Sequence, residues 1–119
     1  MEIGERRERS VVVLSPVGRI DNDTSPGFQA RLLAATAPAG SAVLVDFSRV
    51  NYLSSAGLRA LMMGARQAKA GNGRFAVAEL NAVVSEIFAI SRFGHVVDVF
   101  ASTAEALAAL GAAARPTKA

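Results

Sequence analysis

Apolar residues in this chain fall into short continuous runs that alternate with stretches of helical period. Val11-Val12-Val13-Leu14 is the buried part of a strand read over Ser10 to Ile20, with Pro16 and Gly18 marking a bend or an edge. The charged stretch Met1–Arg9 fits a short edge strand paired with it. Asp21-Asn22-Asp23-Thr24-Ser25 is a polar loop, after which Ser25 as cap and Pro26 as first helical residue open a helix. Phe28 and Leu32 lie on its inner face, and Pro38 and Gly40 end it. Ser41–Asp46 is the next strand. A second helix runs from about Ser55 to Ala70, with Leu58, Leu61, Met62 and Ala65 on one face and Gly71-Asn72-Gly73 as its stop. Phe75–Ala78 is a short strand, and Asn81 opens a third helix carrying Val84, Ile87 and Phe88 that ends near Arg92 to Gly94. Val96–Phe100 is a final strand. Ser102 caps a last helix, Thr103 to Ala112, with Ala106, Leu107 and Leu110 facing inward. This alternation predicts an α/β layer fold with a mixed, mostly parallel sheet of about four to five strands and about four helices. One domain spans 1–119, with its core at about 10–112 and a flexible tail at 113–119.

The segment between the second strand and the second helix carries the candidate chemistry. It reads Asp46-Phe47-Ser48-Arg49-Val50-Asn51-Tyr52-Leu53-Ser54-Ser55-Ala56-Gly57-Leu58-Arg59. Two hydroxyl residues and a glycine therefore sit where a loop meets a helix. There the first backbone N–H groups lack partners and the helix dipole is positive. Ser54 or Ser55 serves as an ordinary cap, and Gly57 allows a tight approach. The same place suits a phosphate, on a ligand or on a serine of the chain itself.

Composition narrows the classes. The chain has 119 residues, is 51% hydrophobic and only 6% aromatic, and its core is built largely from small side chains. It lacks cysteine, which excludes disulfides and thiolate metal sites. The charged start is no signal peptide, and no apolar run approaches bilayer length, so a cytoplasmic protein without a membrane span is expected. A net charge of +3 comes from scattered residues such as Arg31, Arg49, Arg59, Arg66, Lys69, Arg74 and Arg92. Nucleic-acid binding would need a dense basic stripe with aromatics, so an acidic protein partner is the simpler reading.

Catalytic alternatives fail on missing residues. Leu53-Ser54-Ser55-Ala56-Gly57 holds part of a nucleophile elbow, but Leu53 replaces the leading glycine and the one histidine, His95, has no acid partner in view. A phosphoacceptor receiver built on Asp46 would need a lysine after the last strand, whereas the lysines are Lys69 and Lys118. Gly71-Asn72-Gly73 lacks the following lysine and hydroxyl of a nucleotide-binding loop. No ligand cluster for a metal is visible and no cofactor is expected. Asp21 and Asp23, the close acid pair of the body, also fit a solvated turn that accepts backbone N–H bonds.

Three motifs in order resemble STAS domains, specifically the bacterial anti-sigma factor antagonists. Gly18-Arg19-Ile20-Asp21 resembles the family's Gly-x-Leu-Asp strand end. Asp46-Phe47-Ser48 resembles its Asp-Leu-Ser, and Ser54-Ser55-Ala56-Gly57 its Ser-Ser-Ala-Gly helix start. The likeness extends from about Val11 to Leu107. It implies a non-enzymatic partner-switching regulator of sigma-factor-dependent transcription. Ser55 would be phosphorylated by an anti-sigma factor, a serine kinase of the histidine-kinase ATPase fold, and dephosphorylated by a PP2C-type phosphatase. Many antagonists carry aspartate where this chain has Ser54, which leaves Ser54 as an alternative acceptor. Asp21 and Asn22, with Ser54, Ala56 and Gly57, are expected to face the partner. Other STAS domains serve lipid-transporting ABC systems as accessory subunits, and this is the alternative function.

Helical spacing adds one surface. Arg59, Met63 and Arg66 fall opposite the apolar face of the second helix, at i, i+4 and i+7. They adjoin Ser55 and combine an adaptable apolar side chain with arginines, both favoured at interfaces.

Overall fold

The computed structural model describes residues 1–91 and 97–114, with side chains to Gly111 in the last helix. The expected end of the third helix near Arg92 to Gly94, the position of His95, Val96 and residues 115–119 of the expected tail lie outside the described residues, while 113 and 114 belong to the last helix. Among the described residues seven strands and four helices follow one another: β1 Ile3–Glu8, β2 Val11–Pro16, β3 Gly18–Ile20, α1 Ser25–Thr36, β4 Ala42–Asp46, β5 Val50–Leu53, α2 Ser55–Ala70, β6 Arg74–Ala78, α3 Ala82–Ser91, β7 Asp98–Phe100 and α4 Thr103–Ala114.

The main sheet has the order β1-β2-β4-β6-β7. The strand β1 joins antiparallel through a hairpin, and every other pairing in this sheet is parallel. Parallel strands are covered on both faces, which is why β2, β4 and β6 are uninterrupted apolar runs. Their residues alternate between two cores. Val12, Leu14, Val43, Val45, Phe75 and Val77 face α1, α2 and α3. Val11, Val13, Ala42, Leu44, Ala76 and Ala78 face α4 through Ala106, Leu107 and Leu110. A one-residue slip in any of these strands would exchange the two sets. Each fully buried Leu, Ile or Phe contributes about 1.5–3 kcal/mol, so the larger core under α1–α3 dominates the stability.

Two expectations change. The single strand read over Ser10–Ile20 is two strands in two sheets, because Gly18, at φ +98°, turns the chain out of the main sheet after Pro16. The cap of α1 is Thr24, not Ser25. Thr24 makes no side-chain cap into the helix, because its hydroxyl donates to the Arg19 carbonyl and accepts from the Asp21 N–H, both at 2.8 Å. Ser25 is the first helical residue and is buried.

The inner face of α2 also differs from the expected set. Gly57, Ala60, Leu61, Gly64, Ala65 and Ala68 are buried, while Leu58 and Met62 are only half-buried at its flank. Small residues let α2 lie close to α1. At Gly64 an added Cβ would already stand 3.3 Å from Leu32 Cβ. Gln67 fastens the two helices, its amide donating to Leu33 O at 2.7 Å and to Thr36 Oγ1 at 2.8 Å.

Candidate functional site

The segment expected to be a loop between Asp46 and Ser54 contains β5. It pairs in parallel with β3, joining Gly18 to Val50, Arg19 to Tyr52 and Ile20 to Leu53, as a separate two-stranded ribbon. The Ser54 N–H donates to Ile20 O at 2.9 Å and extends the pairing by one bond. This ribbon brings the Asp21 loop beside the start of α2. Val50 and Leu53 anchor it in the core, while Asn51 and Tyr52 face outward. Asn81 holds its other end, donating through Nδ2 to Val50 O at 2.9 Å while Oδ1 caps α3 by accepting from the Val84 N–H at 2.8 Å.

At the start of α2 the two serines do different things. Ser54 is the cap: its backbone is extended, and its Oγ accepts from the Gly57 N–H at 3.2 Å. Its carbonyl accepts from the Leu58 N–H at 2.9 Å. Ser55 is exposed, and its hydroxyl has no hydrogen-bond partner among the described residues. Among the described residues, the N–H groups left free for an anion are those of Ser55 and Ala56. Gly57 and Leu58 are already used, contrary to the general expectation that the first helical N–H groups are all open.

Gly57 is buried rather than presented. A Cβ there would stand 2.5 Å from Leu53 Cδ1 and 2.7 Å from Ile20 Cγ2. The glycine therefore lets α2 start directly on the ribbon, which fixes where Ser55 projects.

Asp21 is largely engaged within its own turn. Oδ1 accepts from the N–H groups of Asp23 at 3.0 Å and Thr24 at 3.1 Å, and Oδ2 lies 3.6 Å from Arg19 Nε. The Thr24 backbone N–H, aided by the Asp23 N–H, the Thr24 hydroxyl and Arg19, holds its carboxyl below the usual carboxylate range, against a smaller opposing effect of desolvation. Its first role is thus to organise the loop. Asn22 and Asp23 are exposed. Together with Arg19, Asp21, Tyr52 and Ser54 they line an open recess of about 350 Å³. The Arg19 guanidinium lies over the Tyr52 ring, 4.2 Å from its centroid. Arg19 and Tyr52 were not among the expected site residues.

On α2, Arg59 and Arg66 are exposed and Met63 is 44% exposed. Ser55, Arg59 and Met63 follow at i, i+4 and i+8, one stripe of the helix surface. Among the described residues neither arginine makes an ion pair. The face next to Ser55 is therefore positive, with one flexible apolar side chain in it. Among the described residues no group of three or more His, Cys, Asp or Glu side chains is placed to hold a metal, and no helix is long and apolar enough to cross a membrane.

A mixed sheet with three helices on one face, one on the other, and a serine-bearing helix start on a side ribbon is the architecture of a STAS domain. A family model described as "Mlab, STAS domain" matches residues 3–101, and the chain belongs to the STAS-domain family. It is 33% identical over 99 residues to BtrV of Bordetella bronchiseptica, named as a candidate anti-sigma factor antagonist, covering 83% of this chain and 84% of that one. The solved anti-sigma-factor-antagonist (STAS) domain protein of Planctomyces limnophilus superposes with a TM-score of 0.83 at 25% identity, over 91% of this chain and 96% of that one. The phosphorylated form of the Bacillus cell fate determinant SpoIIAA has the same fold, with a TM-score of 0.67 at 18% identity over 91% and 98% of the two chains.

Proposed function

We propose that this chain is an anti-sigma factor antagonist that works by partner switching. Unmodified, it binds an anti-sigma factor through the surface around Ser55; phosphorylated on Ser55, it is released, and the sigma factor is recaptured. The observation that carries the reading is the division of labour between the serines: Ser54 Oγ is occupied as the cap, and Ser55 Oγ is exposed and free among the described residues. Relatives named as anti-sigma factor antagonists support the class of partner.

The physical consequence of phosphorylation is local. A phosphate adds roughly −1.5 to −2 charge and three acceptor oxygens. The free N–H groups of Ser55 and Ala56 and the Arg59 side chain four residues on favour that charge, so the fold has no reason to change. A partner packed on the same surface meets a dianion it does not neutralise, and a loss of about 1.4 kcal/mol already weakens binding tenfold. The domain acts by binding. The kinase, of the histidine-kinase ATPase fold, and a PP2C-type phosphatase perform the chemistry.

The test is to incubate the chain with the kinase it binds and ATP, then map the modified residue by mass spectrometry. Ser55 should carry the phosphate and Ser55→Ala should abolish it. Full phosphorylation of Ser55→Ala refutes the assignment. Recovery of lipid-transporter ABC subunits in place of such a kinase from native cells refutes the antagonist function itself.

A further inference from the structure

We propose that Arg19 determines partner specificity: it is a pre-set guanidinium that takes an acidic side chain of the protein partner. This rests on the reading above, that the surface around Ser55 binds a protein. Arg19 belongs to the β3–β5 ribbon and not to the main sheet, and its side chain is 59% exposed, so neither core is served by it. Its guanidinium is nevertheless flanked from two directions and its backbone is fixed from a third. Tyr52 lies under the guanidinium plane, Asp21 Oδ2 stands at the Nε edge, and the Arg19 carbonyl accepts from Thr24 Oγ1. The two terminal nitrogens have no partner among the described residues.

An arginine so arranged has lost much of its rotamer freedom before any partner arrives, which removes part of the ordering cost of binding. What remains outward is a fork of donors without an acceptor, and a carboxylate is its geometric complement. Lysine would not match it, having no planar fork to stack on Tyr52. The recess also holds both signs of charge: Arg19 is one lining residue, and Asp23, exposed and without an ion pair among the described residues, is another. A partner that presents an acid toward Arg19 is accepted, and one with a basic residue there is rejected.

The experiment uses the full chain and the kinase that the wild type binds, with dissociation constants from calorimetry. Arg19→Glu should weaken binding by about tenfold or more, Arg19→Lys by less, and Tyr52→Phe, which keeps the ring, should stay within about twofold. Reversing the facing acid of the kinase to arginine should restore binding to Arg19→Glu. Circular dichroism checks the fold, and Arg19→Gln replaces Arg19→Glu if that variant is unfolded. Binding of the folded variant within twofold of wild type overturns the proposal. That outcome includes the case in which Arg19 serves only a phosphate on this chain, since unmodified protein is used. Failure of the wild type to bind any such kinase overturns the proposed function, a different result.

Discussion

Replacing Gly57 by alanine tests whether close packing at the start of α2 positions the site. Two effects oppose each other. Alanine is the better helix former and would add about 0.5–1 kcal/mol at an unhindered helical position. At Gly57 the new methyl would sit 2.5 Å from Leu53 Cδ1 and 2.7 Å from Ile20 Cγ2, and these side chains are only 2% and 0% exposed. Neither has room to swing away, so the overpacking cost of about 1–3 kcal/mol falls toward its upper end. The expected net loss is about 1–2 kcal/mol, or roughly 4–8 °C in melting temperature for a domain of this size. Gly27 in α1 supplies the control: it is exposed, and an added Cβ meets nothing within 4 Å. Gly27→Ala should therefore stabilise by about 0.5–1 kcal/mol. Urea denaturation of wild type and both variants, read by circular dichroism, measures the difference. If Gly57→Ala matches or exceeds wild type in stability, the ribbon yields to the methyl, and the claim that it fixes Ser55 is wrong.

Ser54→Ala removes the cap of α2 and should cost about 1 kcal/mol in urea denaturation while leaving Ser55 open to the kinase. A folded Ser54→Ala protein that accepts no phosphate would show that Ser54, not Ser55, is the acceptor. Asp21 makes a pH-dependent contribution. Its folded pKa is lowered from 3.8, so the stability it adds is present above 3.8 and is lost as pH falls through the lower folded value. The gap in urea midpoint between wild type and Asp21→Asn should accordingly be widest near neutral pH and close in strong acid; a gap independent of pH would show that the carboxylate charge is irrelevant to the turn.

The main sheet was legible because β2, β4 and β6 are buried on both faces and so appear as continuous apolar runs. The boundaries of α2 were legible for a different reason, a serine cap at one end and Gly71 at the other. The strand β5 was hidden because its four residues run buried, exposed, exposed, buried, which is neither alternating nor continuous. Its pairing with β3 is a long-range event that no local pattern announces. The cap of α1 was misplaced by one residue because the reach of the Thr24 hydroxyl back to Arg19 is tertiary information. The Ser54–Gly57 segment was legible as a motif, but the assignment of tasks within it was not. Two adjacent serines look alike in sequence, and only backbone geometry shows which hydroxyl is already engaged. Arg19 carried no local signal either; its partner Tyr52 becomes a neighbour only once the ribbon forms.

Among the described residues the β3–β5 ribbon pairs only with itself. Its outward residues Arg19, Asn51 and Tyr52 can therefore be exchanged during evolution without disturbing a ladder bond of the main sheet. A genome can then copy one such domain many times and give each copy a different charge order along the ribbon. With the ribbon meeting the partner as proposed, the skeleton would stay constant while the copies stopped answering to one another's partners, since like charges brought face to face cost several kcal/mol. Insulation between parallel signalling circuits would, in that arrangement, reside in two short strands.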